Sequence, residues 1–180
     1  MNKASKKIKI SSRYSEDEKL AIADEILEYI RERSRRGNGP GDKKWSGDAG
    51  VYTKSYQNSL EFKAAGKKKG KVNQTLSGDM LVEMDVLKIS KDEISYGFST
   101  DSEQYGKAEG NILGTYGKQK ANSKKARDFL YLTNDEIRSI LSNYPLRGED
   151  AKTTREENVQ SRLSAIEGLR EFLFGKKQKS

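Results

Sequence analysis

Histidine and cysteine are absent from this chain. The side chains left to do chemistry are carboxylates, amines, guanidiniums and hydroxyls. Without imidazole or thiolate, the commonest general base, the commonest transition-metal ligands and most nucleophile–base pairs are gone. Carboxylates stand side by side at Asp135 and Glu136 and at Glu156 and Glu157, but each pair falls at the start of a predicted helix, where the helix dipole favours negative charge. No spacing brings two carboxylates to one shared site of the kind that glycoside hydrolysis uses. The run GKKKGK from Gly66 to Lys71 lacks the spacing of a Walker motif, and no apolar strand feeds it. These residues point away from an enzyme, and neither a cofactor nor a metal is expected.

Two clusters of cations carry more weight because neither contains an acid. Lys63, Lys67, Lys68, Lys69 and Lys71 form the first; Lys118, Lys120, Lys124, Lys125 and Arg127 form the second. Loops of this composition are ordinarily solvated surface. Repeated around a ring, Lys67, Lys68, Lys69, Lys71, Lys118, Lys120, Lys124 and Lys125 would line a lumen with positive charge facing DNA phosphates. No aromatic residue interleaves with either run, so stacking on single-stranded bases is not indicated and any DNA contact is expected to be sequence-independent.

The composition agrees with a chain that meets other molecules. Of 180 residues, 33% are apolar and 34% charged, with 35 Lys and Arg against 27 Asp and Glu for a formal charge of +8. So few apolar residues cannot cover a large interior. Solvated segments, or surfaces buried only in an assembly, are expected to make up the difference. No run approaches the roughly 18 to 20 apolar residues that span a bilayer, and the basic start MNKASKKIKISS is not followed by an apolar stretch. No membrane contact is expected, and assembly in a host cytoplasm is.

The elements that must position these groups can be read from periodicity. Residues 1–14 are expected to be a basic lead. Residues 15–145 are expected to form one α+β domain, a small, mostly antiparallel sheet packed by helices, with helical extensions at both ends. Ser15 and Glu18 have capping-box spacing, Leu20, Ala23, Ile26, Leu27 and Ile30 make a helical stripe, and Gly37 ends it. The glycine-rich stretch 37–50 is a loop in which Trp45 anchors against its own domain. Tyr52, Tyr56 and Leu60 recur every four residues and predict a short helix over 51–65. A further helix is predicted from Ser77. Val86–Ser90 and Glu93–Ser99 alternate as a hairpin around Lys91 and Asp92. A helix near Asp101 is weakened by Gly106 and Gly110. Arg127–Leu132 reads as a short strand, followed by a helix capped by Thr133 and Glu136 and ended by Pro145.

Several of these segments, in serial order, resemble the phage virion-morphogenesis or tail-completion proteins. The likeness covers roughly residues 45–141. It runs through Trp45 with YTKSYQNSLEF, the element LSGDML at Leu76–Leu81, the strand ISYGFSTD, the glycine-bearing stretch Tyr105–Tyr116, and ARDFLYLTNDEIRSIL from Ala126 to Leu141. The chain departs from the family at Ala126, where proline is common, and at Tyr131, where glycine follows the Leu. The resemblance implies a virion protein at the head-to-tail junction of a tailed phage. Such a subunit forms an oligomeric ring that completes or terminates the tail, beside neck, portal-adaptor or tail-tube proteins, with double-stranded DNA passing non-specifically through the centre. The alternative from charge alone is a basic, sequence-independent nucleic-acid-binding protein.

For subunit contacts the expected residues are Arg127, Asp128 and Phe129, and, beyond a polar linker at 146–153, Leu163, Ile166 and Phe172. The last three belong to a stripe in a capped amphipathic segment over 154–180. If that stripe docks on a neighbouring subunit, truncation after Arg147 reduces assembly and leaves the domain's far-UV circular dichroism and melting temperature intact. Loss of folding on truncation would instead assign the stripe to the chain's own core.

Overall fold

The computed structural model describes residues 3–67, 72, 79–115 and 120–146. The chain divides into two compact units, Met1–Leu141 and Ser142–Ser180, and every described helix and strand lies in the first. The fold of that unit is α+β, built on a three-stranded antiparallel sheet of order β1-β3-β2, with β1 at Ser5–Lys9, β2 at Asp85–Ile89 and β3 at Glu93–Gly97.

The hairpin forms where the alternation places it. Ser90 closes the β2–β3 turn by donating its amide to the Glu93 carbonyl at 2.8 Å. As the central strand, β3 is buried along almost its whole length, with Ile94, Tyr96 and Phe98 essentially inaccessible. The N-terminal lead does not stand apart. Ser5–Lys9 pairs with β3 in the register Ser5↔Gly97 to Lys9↔Glu93, and Ile8 and Ile10 are buried. This corrects the expected boundary at residue 15. The alternation in SKKIKI is short and lysine-rich, and lysines on an edge strand also discourage pairing with a foreign strand.

Helix α1, Glu16–Arg35, opens with a complete capping box. The Ser15 hydroxyl accepts from the Glu18 amide at 3.2 Å, and the Glu18 carboxylate accepts from the Ser15 amide at 2.8 Å. Gly37, at φ 83°, ends it in the left-handed region. The face that packs on β2, β3 and the last helix comprises Lys19, Ile22, Ala23, Ile26, Leu27, Ile30, Arg33 and Ser34. Leu20, placed in the stripe by spacing, is 51% exposed. The buried stripe is centred one position earlier, with the aliphatic stem of Lys19 as a member and its ammonium held by Glu16 at 2.7 Å.

The single helix expected over 51–65 is two short ones, α2 at Lys54–Gln57 and α3 at Leu60–Ala64. Each has its own N-cap: Thr53 accepts from the Tyr56 amide, and Ser59 from the Phe62 amide. The second cap restarts the backbone and breaks the four-residue period, which leaves Leu60 80% exposed. Helix α4 is described at Asp79–Val82, with the predicted Ser77 start outside the described residues. Arg31 of α1 reaches across to its carboxyl end, donating to the carbonyls of Leu81 at 3.0 Å and Met84 at 2.7 Å. Helix α5, Tyr105–Leu113, forms despite its internal glycines and ends at Gly114 in the left-handed region. Helix α6 is Asn134–Leu141 and ends before Pro145.

The expected strand at Arg127–Leu132 is absent. This segment folds through tight turns, with the Phe129 amide on the Arg127 carbonyl at 2.8 Å and the Tyr131 amide on the Asp128 carbonyl at 3.3 Å. Phe129 and Leu130 are fully enclosed, and the Phe129 ring meets Phe98 edge-on at 6.2 Å.

Gly97 sits opposite both Ser5 and Asp85 with φ 135°, and a Cβ there would collide with the Ala4 carbonyl. Gly97→Ala is therefore expected to lower unfolding stability by more than ~2 kcal/mol in urea titration, whereas Gly106→Ala, on open helix surface, is expected to be neutral or stabilising.

Candidate functional site

Two polar clusters stand out, and they differ in kind. The first is a buried ion pair. Arg33 of α1 is wholly inaccessible and donates from Nη1 to Glu136 Oε1 of α6 at 2.7 Å, while Nη2 donates to the carbonyls of Phe129 at 2.7 Å and Tyr131 at 2.9 Å. Glu136 closes its own helix by accepting from the Thr133 amide at 2.8 Å and hydroxyl at 3.0 Å. It also accepts from the Tyr29 hydroxyl and the Gly41 amide, each at 3.0 Å. Burial pushes its carboxyl upward. The Thr133 amide, the Arg33 guanidinium and its charge, and the Gly41 amide outweigh that and hold the carboxyl at about 2. A carboxylate so saturated with donors has no lone pair directed at a substrate, and this cluster is structural.

The second cluster gathers around α2 and α3. Tyr52, Tyr56 and Phe62 form an edge-to-face triad with ring centres 5.3 to 5.4 Å apart. Lys67 folds back onto it. Its ammonium donates to the Tyr52 hydroxyl at 3.0 Å and lies 4.9 Å from the Tyr52 ring centre and 6.0 Å from that of Tyr56. These distances put the ammonium at the hydroxyl end of Tyr52, so the hydrogen bond and not face stacking is the main contact. The Arg127 guanidinium lies 5.8 Å from the Tyr52 ring centre. Desolvation, with the positive charge of Arg127, pulls the Lys67 amine down to about 8. Arg127 donates to the carbonyls of Ala49 at 2.6 Å and Val51 at 3.0 Å, and its own amide is held by the Asn111 carbonyl at 2.8 Å.

The structure separates the residues that sequence grouped together. Lys67 is half-buried against aromatic rings and not on a solvated loop, so aromatics do meet the first cation cluster. The chain brings them there from the preceding helices, beyond the reach of a search for interleaved residues. Lys68, Lys69, Lys71 and Lys118 lie outside the described residues. Lys120 and Lys124 are exposed and Lys125 is half-buried.

Among the expected subunit contacts, Arg127 and Phe129 are buried by the chain's own fold and present no surface to a neighbour. Asp128 does not pair with Arg127; it takes the Lys6 ammonium of β1 at 2.5 Å. Leu163, Ile166 and Phe172 lie outside the described residues. Trp45 anchors within its own domain, its ring lying over Gly39 where a Cβ would come within 2.8 Å.

Among the described residues no group of His, Cys, Asp and Glu is placed to hold a metal ion, and no helix is long and apolar enough to cross a membrane. No protein-family model, curated protein or solved structure matches this chain.

Removing one partner of a buried pair leaves the other charge uncompensated. Glu136→Gln is expected to lower unfolding stability by ~3–5 kcal/mol. The depressed carboxyl also sets a pH dependence. Its contribution is fully present above the unfolded-state value of ~4.3 and is lost as pH falls through about 2. Denaturant midpoints measured across that window should decline for the wild type and decline less for Glu136→Gln.

Proposed function

We propose that this chain is a structural subunit of a tailed-phage particle at the head-to-tail junction, assembling into a ring that completes or terminates the tail and joins it to the head, with DNA passing through. What supports the reading is the convergence of the resembling segments on one core. Trp45 packs on Gly39; Tyr52, Tyr56 and Phe62 form the aromatic triad; Leu81 is buried; Ile94, Tyr96 and Phe98 form the central strand. Ala108 and Ile112 of α5 are buried, as are Phe129, Leu130 and Glu136. Segments strung along the chain in the family's order thus serve a single packing unit.

The surface is compatible with assembly. Val51, Leu60, Val82 and Tyr131 are large apolar side chains left exposed by the described fold. The alternative, sequence-independent nucleic-acid binding, draws on the exposed Lys120 and Lys124. Lys67 and Arg127 do not stand with them on a solvated loop, since both lie against Tyr52.

The deciding measurement is oligomeric state. Mass photometry and sedimentation of the full chain, alone at high concentration and mixed with the proteins encoded beside it, should reveal a closed ring of discrete mass. A monodisperse monomer under all of these conditions would overturn the proposal.

A further inference from the structure

Lys67 differs from two other lysines that the fold draws out of solvent, Lys6 and Lys19. Lys6 is matched by Asp128 and Lys19 by Glu16, each at hydrogen-bonding distance. Lys67 has no carboxylate partner among the described residues. Its ammonium has three donors, of which one is taken by the neutral Tyr52 hydroxyl. The flanks of the group are the Tyr52 and Tyr56 rings. The guanidinium that shares the Tyr52 ring brings further positive charge.

Two cations gathered at one tyrosine repel each other, and low-dielectric walls strengthen that repulsion. The Tyr56 hydroxyl, in the same cluster, is buried and has no hydrogen-bond partner among the described residues. The charge of the nearby acid, Glu61, reaches Tyr56, but its carboxylate is solvent-exposed, is held by its own amide and by Ser59, and makes no ion pair with Lys67 among the described residues. Positive charge, surplus donors and a half-buried lysine together define, among the described residues, a site short of one anion.

We propose that Lys67, framed by Tyr52 and Tyr56 and backed by Arg127, is a binding site for a phosphate-class oxyanion. A compact oxyanion with several acceptor oxygens suits a lysine ammonium acting as a point charge. The inference stands apart from the ring proposal, since it concerns one subunit and holds whether or not that subunit assembles. The shared chemistry has two sources: free phosphate, or the phosphodiester backbone of a nucleic acid.

The test uses the full chain and a readout that a purely structural lysine would not move. Acylation of individual lysines near neutral pH is followed by peptide mass spectrometry while inorganic phosphate, or a short duplex of random sequence, is added. An anion on Lys67 holds it protonated and covered. Acylation there should slow ~10-fold or more, while exposed Lys124 is unaffected by phosphate. Protection by phosphate assigns the free ion; protection by the duplex alone assigns the backbone of a nucleic acid.

Calorimetric binding of the protecting ligand should weaken ~10-fold or more in Lys67→Gln and be largely kept in Lys67→Arg. The proposal is overturned if neither ligand protects Lys67, or if sodium chloride or acetate at matched ionic strength protects it equally. Because protection is read on the wild-type chain, it decides the matter even if Lys67→Gln fails to fold.

Discussion

Arg33 and Glu136 are two opposite charges taken out of water, and their desolvation is tolerable only because almost every donor and acceptor they carry is used. Arg33 spends its fork on one carboxylate and two backbone carbonyls; Glu136 accepts from five donors, drawn from Arg33, Tyr29, Gly41 and, twice, Thr133. The pair therefore does more than join α1 to α6. It fixes the turn-rich segment 129–131 and the loop at Gly41 relative to both helices. Such a pair contributes little net stability against an apolar replacement, but it penalises every arrangement in which one member lacks the other. Specificity of packing is what it supplies.

The same logic explains how a buried, non-repetitive segment survives. Backbone carbonyls away from water need donors, and a strand would find them in a neighbouring strand. Residues 129–131 find them in side chains instead: Arg33 serves Phe129 and Tyr131, and the Tyr96 hydroxyl serves Leu130 at 3.0 Å. Arg127 does likewise for Ala49 and Val51, and Arg31 for the end of α4. Three arginines thus act as internal braces, which is how a chain with few apolar residues holds long connecting segments in place. Part of the positive charge that composition assigns to the surface is spent inside.

The aromatic cluster around Lys67 is the counterexample. There the Lys67 ammonium is drawn against rings and beside a guanidinium, with no carboxylate partner for the lysine among the described residues, and the amine is left easier to deprotonate than a surface lysine. The contrast with the saturated Glu136 separates the two polar clusters by function. In one, every group but the Arg33 Nε is used within the fold, and in the other the Lys67 ammonium makes a single hydrogen bond.

The sequence by itself determined the local elements whose signals lie within a few residues: the capping boxes at Ser15 and Thr133, the alternation of Ile94, Tyr96 and Phe98, the stop at Gly37, and hence the α+β class. Caps and periodicities are short-range constraints, satisfied or broken by neighbours in the chain. The lysine-rich edge strand, the loss of the strand at Arg127–Leu132 and the inward turn of Arg33, Arg127 and Lys67 were decided only by tertiary structure. Each depends on a partner further along the chain, from 15 residues away for Lys67 with Tyr52 to 122 for Lys6 with Asp128. A charged side chain looks solvated until the fold places an acceptor beside it, and no spacing rule carries that information.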